Sequence, residues 1–434
     1  MRLDFFLKPT NIVLVSVMAS VLVWAIPGES ALLRGFEQRS SVTFSGVLVL
    51  VGWYSLCIAV IWYGVKLGHQ IRPNALLSEF ENSPKRELAL YWFLTCVATV
   101  GIVVSVIGIA LEVSIWETIS TRNANIAAEA LPGQASLATL RYATAIAAPI
   151  GIYLWQRKTA PLAMGIWNIL LLLANVTLAS RMSLIVAIII YVFLLVRSKP
   201  DFRLKPLIAL IGIVALFGGL TSLNYVRNAN TYEQFGVSNP LEMNAYQISA
   251  YLGAPAQVSI GVSNAIADAD FVVSGGPITS LAAITPTFLN FDKESVGDGI
   301  VAGRYGNLVS ITENFNANSA FADVYSAFGW WGLFYTLVIL GGAAFLFGIF
   351  ARYRSVVAVI AAVLLYGFAE YWRGFIFNQG IHIFMLLVTT AGIGFAILWP
   401  RVTRFIQGPR NRVRPTANGA SPQPSESCRG VGEL

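Results

Sequence analysis

Four arginines in this chain stand at the edges of apolar runs. Arg141 lies in the first turns of "SLATLRYATAIAAPIGIYLW", and Arg181 opens the apolar part of "NVTLASRMSLIVAIIIYVFLL". Arg227 follows a run in "NYVRN", and Arg373 follows another in "GFAEYWRGF". A fifth, Arg304, sits in the polar stretch "VAGRYGNLVS". An arginine presents a planar fork that grips phosphate or carboxylate through two hydrogen bonds, and it keeps its charge. Two carboxylates accompany the set: Asp323 in "NSAFADVYSAFGWWG", and Glu370, three residues before Arg373. A carboxylate can orient an attacking hydroxyl or take its proton, while fixed cations stabilise a departing anion. Tyr225, Tyr305 and Tyr325 add rings that stack on or hydrogen-bond sugars. Such residues suit group transfer from a phosphorylated donor.

Each residue also has a plainer role. Arginines at a membrane face snorkel to headgroups, and Glu370 with Arg373 has the i, i+3 spacing of a local ion pair. Asn318 or Ser319 can cap a helix, with Asp323 near its positive N-terminal end. The tyrosines can simply pack.

The elements that position these residues follow from composition. Of 434 residues, 56% are hydrophobic and only 12% charged, against about 25% charged in a soluble domain. That deficit excludes one large soluble core and defines a polytopic membrane protein. Two histidines, His69 and His382, exclude a multi-histidine metal centre, and no other cofactor motif stands out. Three cysteines, two of them in apolar runs, exclude a disulfide framework. The glycines of "GGPITS" lack the lysine of a phosphate-binding loop.

Ten apolar runs approach spanning length: 10–27, 43–65, 89–111, 136–155, 160–178, 182–197, 206–223, 328–350, 355–372 and 378–399. The first is read as a retained span rather than a cleaved signal. With the N-terminus inside, twenty of the 29 basic residues fall on the inner side, so both termini are expected in the cytoplasm. The nine left outside include Arg34, Arg39, Arg122 and Lys293 besides the five arginines above. The chain thus divides into a membrane part, 1–223, an outer segment, 224–325, a second membrane part, 326–399, and a basic, disordered tail, 400–434. The outer segment carries nine acidic and three basic residues. Apolar stretches such as "YQISAYLGAPAQVSIGVSNAI" predict that it folds into short helices. Where it meets the eighth run, Trp330, Trp331 and Tyr335 read as an interfacial aromatic belt. A continuous helix would then hold Asp323 about 10 Å outside the hydrocarbon edge. Gly329 and Gly332 would serve close helix packing.

Asn318, Asp323, Tyr325, Phe328, Gly329 and Gly332 form a junction N/H-x4-D/E-x-Y-x2-F-G-x2-G behind a large outer loop. This junction resembles that of the bacterial O-antigen polymerases of the Wzy type and is similar to that of the O-antigen ligases. Ser180 and Arg181 match that family's S-R helix start, and Arg227 matches the arginine after the next span. The motifs cover about 160–350, and the topology covers the whole chain. The resemblance implies an all-α polytopic membrane glycosyltransferase of the C type, with about ten spans. It implies a bacterial inner-membrane protein working at its periplasmic face without metal or cofactor. The substrate it implies is an undecaprenyl-pyrophosphate-linked oligosaccharide; lipid and a chain-length regulator are the other partners, and nucleic acid is not one. Under it Asp323 is the base and Glu370 the second choice. Arg181, Arg227 and Arg304 hold the pyrophosphate; Arg141, Arg373, Tyr225, Tyr305, Asn318 and Tyr325 contact substrate. The ligases commonly carry a histidine near the start of this junction. Here Asn316, Asn318 and Ser319 stand there, which favours the polymerase branch. A ligase-type transferase and a lipid-linked oligosaccharide flippase are the alternatives; charges at helix ends rather than at mid-span speak against a flippase.

Overall fold

A computed structural model describes residues 3–26, 36, 38–112, 137–178, 181–199, 232–273, 276–284, 308–309 and 319–406, with scattered positions between 207 and 229. Every regular element among them is helical. Backbone groups in lipid find no water, so each segment must close its own hydrogen bonds. In chain order the helices are α1 (Pro9–Ala25), α2 (Phe44–Gln70), α3 (Pro84–Glu112), α4 (Thr144–Gln156), α5 (Leu162–Leu178), α6 (Arg181–Ser198), α7 (Pro240–Ala267), α8 (Pro277–Ile284), α9 (Ala320–Phe350), α10 (Val359–Glu370) and α11 (Gly380–Ile406). Five segments are long and apolar enough to cross a membrane: α2, α3, α9, Gly380–Trp399 of α11, and α4 with the 3-10 turn Leu137–Ala143 ahead of it. Four shorter apolar helices accompany them. This is the makeup of a helical membrane protein. Half of the seventh expected span, 206–223, and the tail from 407 onward lie outside the described residues.

The centre of the bundle is α4 and α10. Residues Thr144–Gly151 of α4 and Val359–Phe368 of α10 are buried on every side, the pattern of helices wrapped by other helices. The ninth expected run, 355–372, is therefore shorter as a helix than its apolar length predicts. Its first residues form the 3-10 turn Val356–Ala358, and regular helix covers only Val359–Glu370.

Two devices fix the frame. Along the seam of α2 and α9, glycines let the backbones touch. A methyl group on Gly68 would lie 2.1 Å from the Phe345 carbonyl oxygen, and one on Gly348 would lie 2.5 Å from the Val65 carbonyl oxygen. Small-residue contacts of this kind hold helices together where lipid removes the hydrophobic drive. At one end of the bundle, Arg157 Nη1 donates to both oxygens of Glu87, at 2.9 and 3.0 Å, and the Val356 amide donates to Oε1. One buried carboxylate thus ties α3, the end of α4 and the start of α10.

The segment 224–325 is more regular than expected. It contributes α7, a helix of 28 residues that packs along α1 and α2. The expectation of short helices missed it because its apolar positions face three neighbours and leave no clear stripe. Gln257 fastens α7 to the connection between α1 and α2. Its Oε1 accepts from Trp24 Nε1 at 2.7 Å and from the Ser40 amide at 3.0 Å, and its Nε2 donates to the Gln38 carbonyl at 2.7 Å.

Candidate functional site

The opposite end of the bundle from Glu87 gathers the start of α6, the start of α9, the outer half of α7 and the turn after α10. Ser319 caps α9: its Oγ accepts from the Ala322 amide. Of the two caps weighed from sequence, it is the one the structure uses; Asn318 lies outside the described residues. Asp323 sits in the first turn, half-buried, where the positive end of the helix favours a carboxylate.

The helix that carries Asp323 is not continuous. Gly329 has φ 58° and ψ −152°, a combination open only to glycine, and the chain bends there. A methyl group on Gly329 would lie 2.5 Å from the Val273 carbonyl oxygen, and one on Gly332 would meet Phe328 Cβ at 2.3 Å. The two glycines accommodate the bend and the strand of chain at Val273, rather than a neighbouring helix as the sequence predicted. The straight extrapolation that held Asp323 outside the hydrocarbon edge is corrected with them. The bent segment is held from the side: Tyr325 donates to the Phe271 carbonyl at 3.2 Å, and Ser280 donates to the Phe328 carbonyl at 3.0 Å. Tyr325 is 1% exposed and stacks edge-on against Trp330. Trp330 and Trp331 are exposed, as an aromatic belt requires.

Glu370 and Arg373 form the i, i+3 ion pair through Arg373 Nε and Glu370 Oε2. Glu370 is thereby engaged by its neighbour. The Arg373 guanidinium also lies against the Tyr366 hydroxyl, and its side chain is 28% exposed. A guanidinium anchored at Nε by a carboxylate and partly exposed can receive an anion. Tyr251 of α7 faces this arginine, which places α7 over the site.

A polar chain links Arg373's turn to the cap of α9. Ser259 of α7 donates to Ser319 at 2.6 Å, and the Tyr54 hydroxyl of α2 reaches both serines. Tyr54 also lies near Tyr371, whose hydroxyl meets Cys57 Sγ at 3.5 Å. Sequence reasoning missed Tyr54, Cys57, Ser259 and Tyr371. The one available signal was that Tyr54 and Cys57 sit three apart in an apolar run, on one face of α2.

Arg141 belongs to a second cluster. It is 8% exposed, its guanidinium lies over the Tyr142 ring at 4.8 Å, and its Nε has no described partner. Gly101 makes room for it, since a methyl group there would lie 2.1 Å from the Arg141 amide nitrogen. Thr144 donates to the Arg141 carbonyl, and Asn175 donates to both Thr144 and Ser183. Because Ser183 is in the first turn of α6, the backbone brings Arg181 to the same end as Arg141. No described contact joins this cluster to Arg373. Tyr225 packs with Ala229, Tyr232, Val237 and Met243 in a small separate core, the packing role weighed for it. Arg227, Arg304 and Tyr305 lie outside the described residues.

No grouping of metal-ligating side chains occurs among the described residues. The class that fold and site define is a helical membrane protein with an arginine- and carboxylate-bearing end. Comparison with protein-family models, with curated proteins and with solved structures finds no match to this chain.

Proposed function

We propose that the chain is a membrane glycosyltransferase that polymerises lipid-linked oligosaccharide repeat units, of the O-antigen or exopolysaccharide kind. The observation that carries the reading is Arg373. Glu370 holds its Nε while the side chain stays 28% exposed, at the end of the bundle where the Asp323 helix begins. In the proposed reaction a sugar hydroxyl of an incoming repeat unit attacks the anomeric carbon of the growing chain. The bond from that carbon to the carrier pyrophosphate breaks, and its electron pair stays on the leaving lipid pyrophosphate. Arginines offset the charge that develops there. The hydroxyl proton passes to Asp323. The end of the bundle that holds Arg373 is, in this reading, the periplasmic face of a bacterial inner membrane. The surplus of basic residues at the other end supports that orientation.

The test is purified protein in lipid vesicles with an undecaprenyl-pyrophosphate-linked repeat unit and no added metal. A ladder of products with release of carrier pyrophosphate is the expected result. Absence of both overturns the reading. In cells, Arg181→Ala is expected to leave single-repeat product with the protein still in the membrane. Polymer stranded on its carrier would mark a ligase instead.

A further inference from the structure

Behind the Glu370–Arg373 pair the bundle holds three polar atoms that the described protein leaves without partners: the Tyr366 hydroxyl and both ring nitrogens of His382. Tyr366 is 0% exposed and His382 1%. They face one another from α10 and α11, with ring centroids 6.3 Å apart. Phe377 closes the far side of the imidazole edge-on at 5.2 Å, and Gly367 leaves the space the ring occupies, since a methyl group there would come within 3.1 Å of Cε1. Tyr366 stands one turn before Glu370, and Arg373 lies alongside its hydroxyl without closing a hydrogen bond of normal geometry.

A neutral imidazole carries one donor and one acceptor, and a tyrosine hydroxyl carries both. Leaving such groups dry inside a protein costs about 1–3 kcal/mol each. Apolar cavities stay dry, but a polar site with two or more partners holds water, typically through about three hydrogen bonds. The groups in view of the pair are Glu370 and Arg373 at the end of α10 and, beyond Arg373, Tyr251 of α7.

We propose that Tyr366 and His382 bind an internal water between them, and that neutral His382, through this water, orients the Tyr366 hydroxyl toward the Arg373 guanidinium. His382 is then a positioning residue for Arg373 that touches no substrate. No charge moves; the water donates to one group and accepts from the other. This inference does not depend on the polymerase reading, and its test needs no activity.

The chain's two histidines make the test direct. The full chain, labelled with ¹⁵N-histidine and held in detergent micelles, gives two sets of ring signals, and His69→Gln assigns them. A cross-peak from water to the His382 ring N–H is expected in the unmutated protein. Tyr366→Phe, which keeps the ring and removes only the hydroxyl, is expected to shift the His382 signals and leave those of exposed His69 in place. Arg373→Lys is expected to shift His382 in the same sense by a smaller amount. A His382 ring with no water cross-peak overturns the proposal even if Tyr366→Phe fails to fold. His382 signals that ignore Tyr366→Phe overturn it as well.

Discussion

Gly329 and Val273 meet backbone to backbone: the glycine turns through φ 58° where the valine carbonyl closes on it, leaving no room for a side chain. This contact sets the angle at which the Asp323 segment leaves the rest of α9. Gly329→Ala adds both a forbidden backbone conformation, worth about 1–3 kcal/mol, and a collision with the Val273 oxygen. Its thermal midpoint in detergent is expected to fall by several degrees. Gly342→Ala, where nothing lies within 4 Å of an added methyl group, is expected to leave the midpoint unchanged or raise it.

The seam of α2 and α9 predicts a second pair. Gly68→Ala drives a methyl group toward the Phe345 carbonyl oxygen and is expected to cost about 1–3 kcal/mol. Gly52→Ala, on the same helix but facing open space, is expected to be silent. Equal midpoints for the two variants would show that the backbones do not touch.

Gln257→Ala removes three hydrogen bonds at once and leaves Trp24 Nε1 and the Ser40 amide without their acceptor. A buried donor stranded in this way costs about 1–3 kcal/mol. The looser α7 is expected to be cut faster by chymotrypsin at Tyr246 and Tyr251 than in the unmutated chain.

Glu87→Gln keeps the shape of the side chain but removes the charge that Arg157 meets. Glu87 is almost wholly buried while the Arg157 side chain is 36% exposed, so solvent screens part of the loss. A drop of about 1–3 kcal/mol in unfolding free energy is expected, below the full cost of breaking a buried pair. The double variant Glu87→Gln, Arg157→Gln is expected to recover part of it, read by the same melt.

Under the proposed function, Arg373→Lys keeps a positive charge but loses the fork. A lost charge-assisted hydrogen bond of about 1.5–3 kcal/mol lowers the polymerisation rate roughly 10–100-fold. An unchanged rate would remove Arg373 from the anion site.

Much of the helical frame was legible because lipid imposes one rule on every apolar run, and runs such as 89–111 and 136–155 announce themselves by length. Helix α7 was not, since Gln257, Asn264 and Ser259 interrupt its apolar face with polar contacts to the α1–α2 connection and to the cap of α9. A cap at Asn318 or Ser319 and the Glu370–Arg373 pair were readable from spacing alone, and the structure uses Ser319. The bend at Gly329 was hidden because a glycine in an apolar helix marks a hinge or a close contact equally well, and only Val273, 56 residues earlier, decides between them. Tyr54 and Tyr371 meet across more than 300 residues, a proximity that no local pattern carries.

The shortness of α10 has a consequence for how the molecule is made. Its 3-10 turn and twelve helical residues rise about 24 Å, less than the ~30 Å hydrocarbon core of a bilayer. Beyond Glu370 the chain runs as a turn and irregular backbone through Tyr371 and Phe375 to a 3-10 turn at Ile376, all three buried, as non-helical chain at that depth must be. Such a segment has no stable resting place in lipid by itself. It is held by the helices that pack on it, α1, α6, α9 and α11. Truncation after α10, which removes α11 from around it, is therefore expected to yield a chain that inserts poorly.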